Sequence, residues 1–194
     1  MKNVELKGII TPILTPMKED ESINLDELCI QIDRLIDGGV HGIFCFGTNG
    51  EGYILDENEK IAVLEATIDH VKGRVPVYAG SGCISTRDTI RMSKKAQELG
   101  ADVLSIITPS FAVASQKELY DHYVEVAKHV DIPIVLYNIP ARTGNKLLPE
   151  TVAKLAKDVD VIVGAKDSSG DWDNLKAYIQ QTKDLDKDFY VLSG

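Results

Sequence analysis

Cysteine is scarce in this chain. There are three, Cys29, Cys45 and Cys83, set far apart and odd in number. That excludes a disulfide framework and offers no zinc spacing, so they read as buried thiols in a reducing, cytoplasmic setting. Basic charge is short too: 21 Lys+Arg stand against 30 Asp+Glu, a net charge of −9. Such a surface disfavours nucleic acid or an anionic membrane as the main partner. Residues 1–20 hold no apolar run long enough for a signal peptide or a membrane span. The four histidines, His41, His70, His122 and His129, are scattered without metal-ligand spacing. No G-x-S-x-G elbow is present, and neither residues 47–52 nor Gly80-Ser81-Gly82 completes a phosphate or dinucleotide loop.

What is present is a rhythm. Short apolar runs, rich in β-branched residues, recur at about the ~30-residue period of a βαβ unit. They predict strands at 8–14, 42–46, 75–80, 103–108, 134–138, 161–166 and 189–193. Both faces are apolar, as in a covered parallel sheet. Amphipathic helices fill the gaps. Leu25, Leu28, Cys29, Ile32, Leu35 and Ile36 share one helical face. Asn24/Glu27 and Ser115/Glu118 have capping-box spacing, while Asp56, Ser85 and Asp171 are further N-cap candidates. Pro149 suits a first turn, and Gly38-Gly39 and Gly100 mark helix ends. Regular alternation means α/β, and the even spacing favours a (β/α)8 barrel over a doubly wound sheet. Such a barrel usually needs ~250 residues and eight strands. The expectation is therefore a single barrel domain over residues 1–194 lacking its C-terminal portion.

Barrel chemistry gathers at the C-terminal strand ends. The second strand runs into Gly47-Thr48-Asn49-Gly50-Glu51-Gly52, the fifth into Tyr137-Asn138-Ile139-Pro140-Ala141-Arg142, and the sixth into Lys166-Asp167. Lys166 follows an uncharged apolar run, and desolvation at a strand end favours a neutral, nucleophilic amine. The plain alternative, held even with it, is an ion pair with Asp167 or Asp171. Tyr137 has a phenol for proton transfer, or is a satisfied edge tyrosine. The amides of residues 47–52 suit an anion, or only a tight turn. Arg142 suits a carboxylate, or a surface ion pair.

Together these ends resemble the dihydrodipicolinate synthase / N-acetylneuraminate lyase family of pyruvate-dependent class I aldolases. Gly47-Thr48-Asn49-Gly50-Glu51 is similar to its G-[TS]-[TN]-G-E turn, Tyr137-Asn138-Ile139-Pro140 to its Y-N-x-P, and Gly164-Ala165-Lys166-Asp167 to its G-x-K-[DE]. The resemblance implies a Schiff base between Lys166 and pyruvate. Tyr137 would pass the proton and Thr48 relay it. The Thr48 and Asn49 amides would hold the 2-oxo acid's carboxylate, with the Gly194 main chain nearby. No metal or organic cofactor would be needed, and a homotetramer of dimers, or a homodimer, is expected. Arg142 points to the synthase itself, with aspartate semialdehyde as the aldehyde. Asn49 and Phe111 depart from its usual threonine and tyrosine. A 2-keto-3-deoxy sugar-acid aldolase, or an N-acetylneuraminate lyase-like enzyme, therefore stands second. A non-catalytic barrel of the family, or an unrelated phosphate-binding barrel, is further off.

Overall fold

The computed structural model describes residues 4–194. Seven strands alternate with seven helices: β1 (Ile10–Pro12), α1 (Leu25–Asp37), β2 (Gly42–Cys45), α2 (Glu57–Val71), β3 (Val77–Gly80), α3 (Thr86–Leu99), β4 (Val103–Ile107), α4 (Gln116–Ala127), β5 (Ile134–Asn138), α5 (Pro140–Thr143), α6 (Pro149–Asp158), β6 (Ile162–Asp167), α7 (Trp172–Thr182) and β7 (Tyr190–Ser193). Strand order follows chain order. That is the connectivity of a (β/α)8 barrel through its seventh strand, so the α/β expectation holds.

Helix starts follow the expected chemistry. Asp56 and Ser115 form reciprocal boxes with Glu59 and Glu118. Asp171 accepts from the Asn174 amide and Ser85 from the Asp88 amide. Asn24 accepts from the Glu27 amide, a one-way cap rather than the reciprocal box its spacing suggests. Pro149 occupies the first turn of α6. Gly100 leaves α3 at φ +105°, a conformation that favours glycine.

The chain forms two compact units. One comprises Lys7–Gly80 and Lys95–Leu104. Here β1 pairs with β2, and β2 with β3, all parallel. Strand β2 is buried along its whole length, which is why it reads as an unbroken apolar run. Asp33 on α1 holds both His70 and Arg74, at 2.9 and 2.7 Å. Hydrogen bonds from these two side chains keep its carboxyl below the usual range, with Arg74 the larger influence. Of the three thiols, only Cys45 is fully buried, and burial pushes it up to about 11. Cys29 and Cys83 are half-buried, correcting the uniform expectation. Cys29 borders the stripe of Leu28 and Ile32 on α1, and Cys83 lies in the loop after β3.

Among the described residues, the other unit comprises residues 4–6, Ser81–Lys94 and Ser105–Gly194. Strand β5 is buried throughout and pairs in parallel with β6, which pairs with β7. The β5–β6 register slips once. Ile134 faces Ile162 but Val135 faces Gly164, leaving Val163 as an extra residue. Beyond this bulge Tyr137 faces Lys166 and Asn138 faces Asp167. Gly164 is required there, because a Cβ would lie 2.7 Å from the Tyr190 carbonyl oxygen on β7. Behind the sheet, Tyr123 donates to the Ile106 carbonyl at 3.0 Å and Tyr178 to the Leu147 carbonyl at 2.7 Å.

Candidate active site

Tyr137 and Lys166 end neighbouring strands as register partners. Paired residues of parallel strands project to the same face. The Lys166 Nζ stands 4.3 Å from the centroid of the Tyr137 ring, within cation–π range. Tyr137 is 4% exposed, and Lys166 is half-buried. An amine and a phenol are thus held side by side. Gly194 borders them: its amide donates to the Asp167 carbonyl at 2.9 Å. A Cβ on Gly194 would lie 2.1 Å from Ser168 Oγ and 2.8 Å from Lys166 Cε. The bare Cα therefore makes room for the lysine stem.

The carboxylates named as alternative partners for the lysine have other duties. Asp171 pairs with Lys146 at 2.9 Å, which holds its carboxyl below the usual range, and it caps α7. Asp167, 4% exposed, points to the back of the sheet. Its Oδ1 accepts from Asn138 Nδ2 at 2.8 Å and from the Ser169 amide at 3.1 Å. Its Oδ2 accepts from Ser169 Oγ at 3.0 Å and Asn174 Nδ2 at 3.3 Å. Asn138 Oδ1 in turn accepts the Leu147 amide at 3.0 Å. Neither this network nor Ser168 was identified from the sequence. The Y-N and K-D dipeptides were the available signal, but their cross-strand match depends on the bulge.

Arg142 lies near the end of the four-residue α5, with its side chain exposed. Beside it, Thr143 Oγ1 accepts from Thr108 Oγ1 at 2.8 Å. Asn145 donates to the carbonyls of Pro109 and Ala112, both at 2.8 Å, and accepts the Ala114 amide. This clamp fixes the loop that carries Phe111, whose ring is 96% exposed and whose φ is +80°.

In the other unit, β2 runs into the glycine turn. Thr48 is half-buried and Asn49 exposed. The amides of Gly50, Glu51 and Gly52 donate to Gly47 and Thr48 carbonyls within the turn. That leaves fewer donors for an anion than the glycine count alone suggested; the Asn49 amide is not used in this way. Thr15 Oγ1 braces the turn from β1's side, donating to the Gly50 carbonyl at 2.7 Å. Glycine is needed at 52, where a Cβ would lie 2.5 Å from the Phe46 carbonyl oxygen. Among the described residues, no group of His, Cys, Asp and Glu could hold a metal ion. No helix there is long and apolar enough to cross a membrane.

The sequence profile of the dihydrodipicolinate synthetase family matches residues 5–194. The chain belongs to this family. It is 41% identical to 4-hydroxy-tetrahydrodipicolinate synthase of Methanopyrus kandleri, covering 98% of this chain and 63% of that protein. It is 38% identical to the enzyme of the same name in Bacillus subtilis, covering 96% and 63%. Among solved structures, it matches a prophage protein of the dihydrodipicolinic acid synthase family from E. coli K12, crystallised with pyruvate. There the TM-score is 0.94 and the identity 37%, over 97% of this chain and 63% of the other. The chain thus spans a little under two thirds of the length of these relatives.

Proposed function

We propose that this family member is a pyruvate-dependent Schiff-base lyase of the synthase type, condensing pyruvate with aspartate semialdehyde. The observation that carries the reading is the in-register pair, with Lys166 Nζ 4.3 Å from the Tyr137 ring centroid. The neutral Lys166 amine attacks the keto carbon of pyruvate, and water leaves to give the imine. Tyr137 passes protons to and from the departing hydroxyl and the adjacent methyl carbon. The resulting enamine attacks the aldehyde carbon. Thr48 serves as relay, the amides of Thr48 and Asn49 take the pyruvate carboxylate, and the Gly194 main chain lines the lysine's side. Arg142 takes the second substrate's carboxylate; its exposure leaves it open to an incoming anion. The assembly expected is a homotetramer of dimers, in the cytoplasm.

The test is trapping. Incubation with pyruvate and borohydride fixes a reduced adduct on Lys166, read by mass spectrometry of the digested chain, and Lys166→Ala removes it. An adduct on another lysine, or none on the native chain, refutes the proposal. A second reading, a 2-keto-3-deoxy sugar-acid aldolase, is favoured by Phe111, which has no titratable proton. Pyruvate offered with aspartate semialdehyde or with sugar aldehydes separates the two.

A further inference from the structure

Tyr137 and Lys166 are register partners, and so are the residues that follow them, Asn138 and Asp167. Successive side chains of a strand point to opposite faces. The second pair therefore lies directly behind the first, 1% and 4% exposed. An ionised carboxylate is costly to bury unless its lone pairs are met. Asp167 meets them with four hydrogen bonds from three places: Asn138 on β5, Ser169 in the turn after β6, and Asn174 on α7. Asn138 is committed at both ends, donating to Asp167 and accepting from Leu147 before α6. Helix capping does not explain this cluster, because Asp171 already caps α7. Beside the Ser168 amide, which donates to the Asn138 carbonyl at 2.8 Å, the Asn138–Asp167 bond is a side-chain tie between the last residue of β5 and the last residue of β6.

We infer that Asp167, with Asn138 as its partner, is a positioning residue for the Lys166–Tyr137 pair. Its carboxylate clips the two strand ends together from behind and so fixes where the amine stands over the phenol. The inference rests on the Schiff-base reading above. Neither residue touches substrate. Loss of the clip lowers the rate constant of adduct formation at saturating pyruvate and leaves the half-saturating pyruvate concentration unchanged. A displacement near 1 Å costs on the order of 10²-fold in a reaction of this kind. A merely destabilised chain instead shows a smaller trapped fraction at an unchanged rate constant.

The experiment measures that rate constant between pH 5.5 and 9 in the native chain, in Asn138→Asp, and in the swap Asn138→Asp with Asp167→Asn. Asn138→Asp sets two carboxylates face to face, and like charges that close cannot both be ionised. Below the pH at which the pair shares a proton, the clip holds; above it, the strand ends are forced apart. The variant-to-native ratio is therefore expected to fall about ten-fold or more as pH rises. The swap, which keeps one carboxylate and one amide, removes that trend. A native-like rate constant at every pH overturns the inference, and so does a loss that neither varies with pH nor responds to the swap. If Asn138→Asp does not fold, Ser169→Ala takes its place. It removes one bond to Asp167, and a fall of roughly three- to ten-fold in the rate constant is expected; no fall overturns the inference. A native chain that forms no adduct overturns the Schiff-base reading and this inference with it, whereas a native adduct with indifferent variants overturns the inference alone.

Discussion

Acid should loosen this protein through one imidazole. His122 lies on α4, 5% exposed. Its Nδ1 is 2.9 Å from Thr86 Oγ1, its ring meets Tyr123 edge-on with centroids 5.1 Å apart, and its buried Nε2 has no hydrogen-bond partner. Burial disfavours the charged ring and pulls its pKa from 6.5 down to about 4. In the unfolded chain the same ring takes up a proton near 6.5. Between those values the unfolded state holds the extra proton, so stability falls as pH falls. The loss begins near pH 6.5 and is complete near 4. At 1.36 kcal/mol per pKa unit it amounts to about 3 kcal/mol, a large share of the ~5–15 kcal/mol that holds a domain folded. Urea unfolding of the native chain and of His122→Gln at half-unit steps from pH 7.5 to 4 isolates the effect. Other acid-sensitive groups, such as Asp33 and Asp171, contribute equally to both proteins and cancel in the difference. Native stability minus variant stability should drop by about 3 kcal/mol across that window. Parallel curves would refute the reasoning, as would a His122 imidazole resonance titrating near 6.5.

The same logic gives three further expectations. Arg142→Ala should damage turnover with aspartate semialdehyde at least ten-fold more than it slows the pyruvate adduct, if it takes the second substrate's carboxylate as proposed; equal damage would assign the arginine to α5's structure. Gly194→Ala places a methyl 2.8 Å from Lys166 Cε and should slow trapping by ~10²-fold, seen as a rate and not as a loss of folded protein by circular dichroism. Phe111→Tyr should raise condensation by ~10²-fold if a hydroxyl relay is what the native chain lacks; native turnover already at ~10 s⁻¹ would show the relay is dispensable.

The sequence exposed the repeating architecture because β2 and β5 are buried on both faces and so are unbroken apolar runs. Strand ends were less legible. The run at 8–14 shrinks to Ile10–Pro12, since Gly8 turns at φ +79° and its bare Cα lies against the His41 ring. The Tyr137–Lys166 pair was legible as two polar residues at apolar strand ends. The Asn138–Asp167 clip was not. Asp167 invited a local explanation, as an ion-pair partner of Lys166, and only the register reveals that it meets Asn138. Arg142 appeared as a carboxylate ligand or an ion-pair partner; its side chain is exposed on a one-turn helix, a detail that spacing does not encode. The glycine turn announced itself, but composition cannot distinguish amides that face outward from those used up within it.

The bulge at Val163 makes the Tyr137–Lys166 pairing depend on parity. If the same β6 sequence paired regularly from Ile134–Ile162, without the bulge, Ala165 and not Lys166 would stand opposite Tyr137. The lysine would then share a face with Asn138, on the helix side. One inserted position therefore acts as a half-step in a two-stroke pattern, and everything downstream in the strand inherits its phase. Substitutions within β6 can be judged one residue at a time, but insertions and deletions cannot. A single-residue deletion between Ile162 and Lys166 can absorb the bulge and leave Lys166 opposite Tyr137, whereas a deletion after the bulge that the bulge does not absorb, or an insertion, puts the amine on the wrong side.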